Sequence, residues 1–180
     1  FLGTYKTQEL GYSVWAIQIY TMLGSLARML CSVPLGRYAD RRSMLHAYLI
    51  GVLIMALGFL TLTFTTPSLR GFMIVHIILY NAAWAGMSVN CANMMLDYVP
   101  YEYFSQALSF QRSIGGVIGF LATLAGSALL NLISANGNLC FGIKAYPQQI
   151  MGFLSALIMF WVIAYGLLVV DKQAKIKNSN

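Results

Sequence analysis

Five polar side chains, Gln18, Thr21, Ser25, Arg28 and Ser32, recur at steps of three, four, three and four residues within an otherwise apolar run. On an α-helix that spacing sets all five on one side. An amide, three hydroxyls and a guanidinium in a row can hydrogen-bond or charge-match a solute along a wall. A second reading of the same row stays open, in which Ser and Thr bond to their own helix carbonyls and Arg28 reaches for the interface along its aliphatic stem. His76 and Asn90 are the next candidates, fourteen residues apart and within roughly 40° of each other at about 100° per residue, with Asn81 pointing nearly the opposite way. A histidine in an apolar run can carry a proton or simply hold a neighbouring helix.

Bond-breaking chemistry needs converging groups, and the chain has no HExxH, no GxSxG and no paired carboxylates within an apolar run. Its two histidines are His46 and His76, and Cys31, Cys91 and Cys140 show no CxxC or metal-ligand spacing. The residues therefore point away from an enzyme, and call for no cofactor and no metal.

The elements that must position these groups are read from composition. Hydrophobic residues make up 59% of the 180 and charged residues only 9%, and the mean hydropathy is +0.70. A soluble domain carries about a quarter charged residues, so a water-facing surface cannot be built from this chain. Uncharged or nearly uncharged runs at about 13–35, 46–65, 70–95, 106–133 and 148–170 match the roughly 20 residues needed to cross the hydrocarbon layer. Backbone polar groups in lipid must be paired within the segment, which makes the runs helices, and the alternation of a β-barrel is missing. The expected fold is all-α, a polytopic bundle of five transmembrane helices over 13–170, with an external segment at 1–12 and a basic cytoplasmic tail at 171–180.

Orientation follows from Lys and Arg in the short loops. Arg37, Arg41 and Arg42 follow the first span and Lys172, Lys175 and Lys177 the fifth, while the other side holds Lys6, Arg70 and Lys144. The N-terminus is expected outside and the C-terminus cytoplasmic, in the cell membrane. The net charge of +6 then reflects topology, not nucleic-acid binding. The chain starts at Phe1 without a signal-peptide pattern, which reads as a piece of something longer, and five spans with an external start imply an odd number of missing helices.

The spans differ in their faces. The fourth carries Ser109, Ser113, Gly116, Thr123, Ser127 and Asn131 along one side, with Gly115 and Gly119 beside them. Small residues of this kind let helices approach closely or line a pathway. Arg112, within two turns of the inner end, reads as a snorkelling side chain. The second and fifth spans hold no charge and read as peripheral, lipid-facing helices.

Between the first two spans the chain runs Pro34-Leu35-Gly36-Arg37-Tyr38-Ala39-Asp40-Arg41-Arg42-Ser43. This resembles the G-x-x-x-D-R loop motif of the major facilitator superfamily. Gly36 would permit close helix approach in a short turn, Asp40 would cap or face a helix N-terminus, and Arg41 and Arg42 would hold the inner side. The second glycine of the motif is absent near Ser43, and Arg42 stands where an uncharged residue is commoner, a loosening typical of the motif's second copy, between helices eight and nine. The run Asp97-Tyr98-Val99-Pro100-Tyr101-Glu102, followed by Ala107-Leu108, resembles the family's loop between helices ten and eleven. Ile114 to Ala122, Ala135 to Asn138 and Tyr146 to Gln149 resemble uncharacterised permeases of Gram-positive bacteria.

The resemblance covers nearly the whole chain. It implies helices eight to twelve of the C-terminal half of a secondary transporter that moves a small solute by alternating access. In that family the third and sixth helices of each half lie outside and the others line the cavity, which fits polar faces on spans one, three and four. Implied partners are a small-molecule solute, a coupling proton or sodium ion, the lipid bilayer and the missing N-terminal half, with no nucleic acid. Gln18, Thr21, Ser25, Arg28, His76 and Asn90 would stand in the pathway, Gly36, Asp40, Arg41 and Arg42 in a cytoplasmic gate, and Gly115, Gly116 and Gly119 at a helix contact. The rival readings are a membrane sensor or scaffold of the same fold and, behind it, a membrane-embedded enzyme.

Overall fold

A computed structural model describes residues 3, 5–135, 137, 139–140, 143–144 and 146–172. After a π-helical turn at Tyr5–Glu9, the chain forms α1 (Val14–Arg41), α2 (Met44–Thr63), α3 (Gly71–Tyr98) and α4 (Phe104–Ala135). A two-residue antiparallel ladder, β1 (Leu139–Cys140) with β2 (Ile143–Lys144), precedes α5 (Pro147–Tyr165), which continues as a π-helical stretch to Val170. Five helices are long and apolar enough to cross a membrane. The class is all-α, with this ladder the only strand structure among the described residues.

The ends of the helices are set by local chemistry. Ser13 caps α1 by accepting from the Ala16 N–H at 3.2 Å. Helical hydrogen bonding carries α1 on past the expected span end near 35, through Pro34 and the motif, to the Arg42 N–H that donates to the Tyr38 carbonyl at 3.0 Å. Hydropathy reports the part of a helix that lipid tolerates, whereas the hydrogen-bond ladder continues into water. Only Arg42 and Ser43 separate α1 from α2, and Ser43, not Asp40, caps α2 through the His46 N–H. Pro147 occupies the first turn of α5, where its missing N–H costs nothing.

α3 packs against both α1 and α2, and α5 packs on the far side of α2. The crossings are close because glycines sit in them. A Cβ on Gly24 of α1 would lie 2.5 Å from Asn81 Nδ2 of α3, and one on Gly152 of α5 would lie 3.1 Å from the Phe59 carbonyl of α2. Gly36, expected to serve such an approach, has nothing within 4 Å of the same position; α1 meets α3 at Gly24, where α3 presents Asn81 and Ile77, and through Leu35, whose Cδ1 would lie 2.9 Å from a Cβ on Gly86.

The peripheral reading of α2 also needs correcting. It is the most enclosed helix, 44% of its span being buried against 6% for α1. Its lack of polar groups suits a packed interior as well as lipid, since lipid tails are as apolar as leucine. Where the N-terminal turn meets the end of α2 and the start of α3, Tyr5, Leu10, Leu62, Met73 and Ile77 form a cluster of buried side chains. The Thr65 carbonyl there accepts from both Tyr5 Oη at 2.8 Å and Gln149 Nε2 at 2.7 Å, tying the N-terminal turn and α5 to the end of α2.

Candidate functional site

The α1 stripe lies on one unburied face of the helix: Gln18, Thr21, Ser25, Arg28 and Ser32 are all exposed. Thr21 donates to the Ile17 carbonyl at 2.9 Å, Ser25 to Thr21 at 3.0 Å and Ser32 to Met29 at 2.7 Å. The hydroxyl protons are thus satisfied within the helix, and the oxygens keep acceptor capacity on the exposed side. Gln18, Thr21 and Ser25 share a shallow groove of about 600 Å³ with Ile19, Met22 and Met29. Arg28 lies with its guanidinium carbon 6.0 Å from the centroid of the Trp84 ring on α3, a cation–π contact.

Arg112 of α4 lines a groove of about 460 Å³ that also contains Trp84, Tyr48, Ser88 and Cys91, and Gln111 donates to Cys91 Sγ at 3.1 Å. Trp84 thus meets the Arg28 guanidinium of α1 and shares a groove with Arg112 of α4. Sequence reasoning passed over Trp84, whose signal was its position in mid-span, away from the interfacial belts where tryptophan is usual.

The α3 candidates part company. Asn90 is enclosed, 2% exposed, and donates to the Gly86 carbonyl of its own helix at 2.8 Å. His76 is buried, its Nδ1 2.7 Å from the Gly58 carbonyl of α2, which makes it a bridge between α2 and α3. A carbonyl can only accept, so Nδ1 carries the proton and Nε2 is the nitrogen left for other chemistry. His76 and Asn90 are both buried, 3% and 2% exposed, and Asn81 meets α1 at Gly24.

His76 also lines a cavity of about 370 Å³ with Thr21, Phe59, Tyr80, Asn81 and Lys6 of the N-terminal turn. Burial pushes the Lys6 amine below its usual value of 10.5, because desolvation penalises the ammonium. Folding thus weakens proton binding at this amine. The unliganded protein should gain stability as pH rises through the lowered folded value, with the gain complete above 10.5. Thermal melts of the wild type and Lys6→Met between about pH 7 and 10 check this. The wild-type midpoint should climb toward that of the methionine variant, and parallel curves would refute the assignment.

At the opposite end, Gly36 is partly buried, and Asp40, Arg41 and Arg42 are exposed at the terminus of α1. His46 Nε2 lies 4.0 Å from Asp171 Oδ1, joining the start of α2 to the end of α5. On α4, a Cβ on Gly115, Gly116 or Gly119 would have nothing within 4 Å, so among the described residues these glycines meet no helix. α4 touches the rest through Gln111, through Gly126 against Met151, and through the buried Leu130 and Ile133.

A profile of the Major Facilitator Superfamily matches residues 1–180. The chain belongs to that superfamily. Five apolar helices on a major facilitator chain make it a multi-pass membrane protein. Among curated proteins, the magnetosome protein MamH of Paramagnetospirillum magneticum (strain ATCC 700264 / AMB-1) is 28% identical over 134 residues, covering 69% of this chain and 31% of MamH. The chain thus spans about a third of the length of the curated relative it matches. No solved structure matches it. Among the described residues no cluster of three or more His, Cys, Asp or Glu could hold a metal ion.

Proposed function

We propose that this major facilitator chain is part of a secondary transporter that moves a small solute across the cell membrane by alternating access, supplying helices eight to twelve of the C-terminal half. One observation carries the reading. The polar face of α1 is exposed and the glycine face of α4 meets no helix among the described residues, while apolar α2 is the most enclosed helix. In lipid this arrangement is inside out, since Gln18, Arg28 and Arg112 are costly against hydrocarbon. A second bundle packed on α1 and α4, leaving a wet cleft between, resolves it. MamH extends well beyond the matched region, in keeping with such a second part.

In this reading Gln18, Thr21, Ser25 and Arg28 line the cleft. Asp40, Arg41 and Arg42 act in a gate at the cytoplasmic end, and Gly115, Gly116 and Gly119 seat the N-terminal half. The basic residues at the end of α1, with Lys172 after α5, favour a cytoplasmic side for that end. A coupling proton or sodium ion would drive uphill movement. Flux of candidate solutes into proteoliposomes containing the intact polypeptide tests the proposal. Transport above empty liposomes is expected, and binding without flux would instead indicate a sensor. Gln18→Ala with Ser25→Ala should raise the half-saturating solute concentration by about threefold to tenfold, the effect of one or two neutral hydrogen bonds. An unchanged rate and affinity would remove both residues from the pathway.

A further inference from the structure

The cavity between the N-terminal turn, α1, α2 and α3 is absorbed by neither the stripe nor the gate. We propose that it binds a small organic carboxylate together with one proton. Its volume, about 370 Å³, falls at the small end of the roughly 300–1,000 Å³ range of ligand pockets. Two basic groups, Lys6 and His76, line it, and among the described residues no carboxylate does. Among the described residues Lys6 has no ion-pair partner. An ammonium that is partly desolvated beside an imidazole, with no counter-ion among the described residues, is a site for an anion.

The placement of Lys6 is built, not incidental. Tyr5 and Leu10, on either side of it along the turn, are fully buried, Tyr5 Oη is bonded to the Thr65 carbonyl, and Tyr12 Oη donates to the Arg70 carbonyl at 2.7 Å. These anchors hold the amine over the cavity. Phe59, His76 and Tyr80 form a mutually packed wall with ring centroids 5.7–6.2 Å apart. Such a wall suits an apolar body carrying one charged end, which favours a carboxylate over inorganic phosphate.

The proton follows from the tautomer. With Nδ1–H committed to the Gly58 carbonyl, neutral His76 offers only a lone pair at Nε2, which repels a carboxylate. A proton taken from bulk water onto Nε2 converts that lone pair into a second charged donor opposite Lys6. Lys6 from the N-terminal turn and Tyr80 from α3 are the titratable groups lining the cavity with His76; α2 contributes Phe59 and α1 contributes Thr21. Among the described lining residues, α1 and α2 supply no titratable group that competes for the proton. Carboxylate and proton therefore bind cooperatively, each raising the affinity for the other.

Calorimetric titration of the intact polypeptide in lipid nanodiscs, with butyrate and benzoate as probes, tests this by binding alone, so a failure of the transport reading leaves the result interpretable. Both probes should bind and butylamine should not. As pH rises, affinity should fall by up to about tenfold per pH unit, with uptake approaching about one proton in a pair of buffers of different ionisation heat. Lys6→Met should weaken binding by about tenfold or more, the worth of a charged hydrogen bond. His76→Gln keeps a donor for the Gly58 carbonyl and should abolish the proton uptake and the pH dependence. Absence of carboxylate binding, binding of phosphate in its place, or butyrate affinity indifferent to Lys6→Met would overturn the proposal. Lys6 lies outside the helix contacts and decides the matter even if His76→Gln does not fold.

Discussion

Gly51→Leu lowers the thermal midpoint of the purified protein sharply, whereas Gly71→Leu leaves it nearly unchanged. A Cβ on Gly51 would stand 2.8 Å from Met87 Cγ, 3.2 Å from the Ala83 carbonyl and 3.3 Å from the Met87 nitrogen. The methionine tip can move, but the backbone of α3 cannot without opening the crossing. Overpacking of this kind costs about 1–3 kcal/mol in well-packed interiors. A leucine brings three further carbons into the same gap, so the upper part of that range is expected. Gly71 is also a helix residue, at the start of α3, and has nothing within 4 Å of its Cβ position. A side chain there meets no neighbour and slightly favours the helix. Melting curves of the two variants in one detergent separate steric from compositional effects. Equal shifts would mean that the α2–α3 crossing is not where the bundle is tightest.

Gly116→Leu shows the opposite pattern, sparing the five-helix fold and removing transport. The glycine has no neighbour among the described residues, so leucine adds no clash within them and the melting midpoint should stay within the small range of surface substitutions, about ±0.5 kcal/mol. In the proposed transporter this face seats the other bundle. A side chain wedged into a close helix contact there, at about 1–3 kcal/mol, should cut flux by about tenfold or more. Proteoliposome flux and melting of the same preparation give the comparison. Full flux in Gly116→Leu would leave the glycine face turned to lipid, and the N-terminal half would have to sit elsewhere.

The two glycines also mark how far local pattern carries. Both lie in apolar runs, and nothing in the neighbouring residues distinguishes the one at a crossing from the one on an open face. The same holds for Gly24 and Gly36 on α1. The motif attracted attention to Gly36, yet it is Gly24 that α3 approaches, because the angle and height of a crossing depend on both helices. His76 could be recognised as polar and enclosed, but its partner is the Gly58 carbonyl, a backbone group on another helix that carries no residue-type signal. Lys6 was legible only as an external basic residue. Its place over a cavity depends on Tyr5 and Leu10 being buried against the ends of α2 and α3.

What the amino-acid order determined by itself was the membrane setting, the all-α class, the five helices, and the side of each helix on which its polar groups lie. Those properties are local: hydropathy is summed over one segment, lipid forces each segment to pair its own backbone, and the helical angle assigns faces without reference to neighbours. Tertiary structure alone decided that α2 is enclosed, that Arg28 approaches Trp84, and that His76 and Lys6 share a cavity. Between apolar helices in lipid the hydrophobic effect provides little preference for one partner over another, so the pairing rests on shape, on glycine-sized gaps and on single hydrogen bonds that exist only once two helices meet.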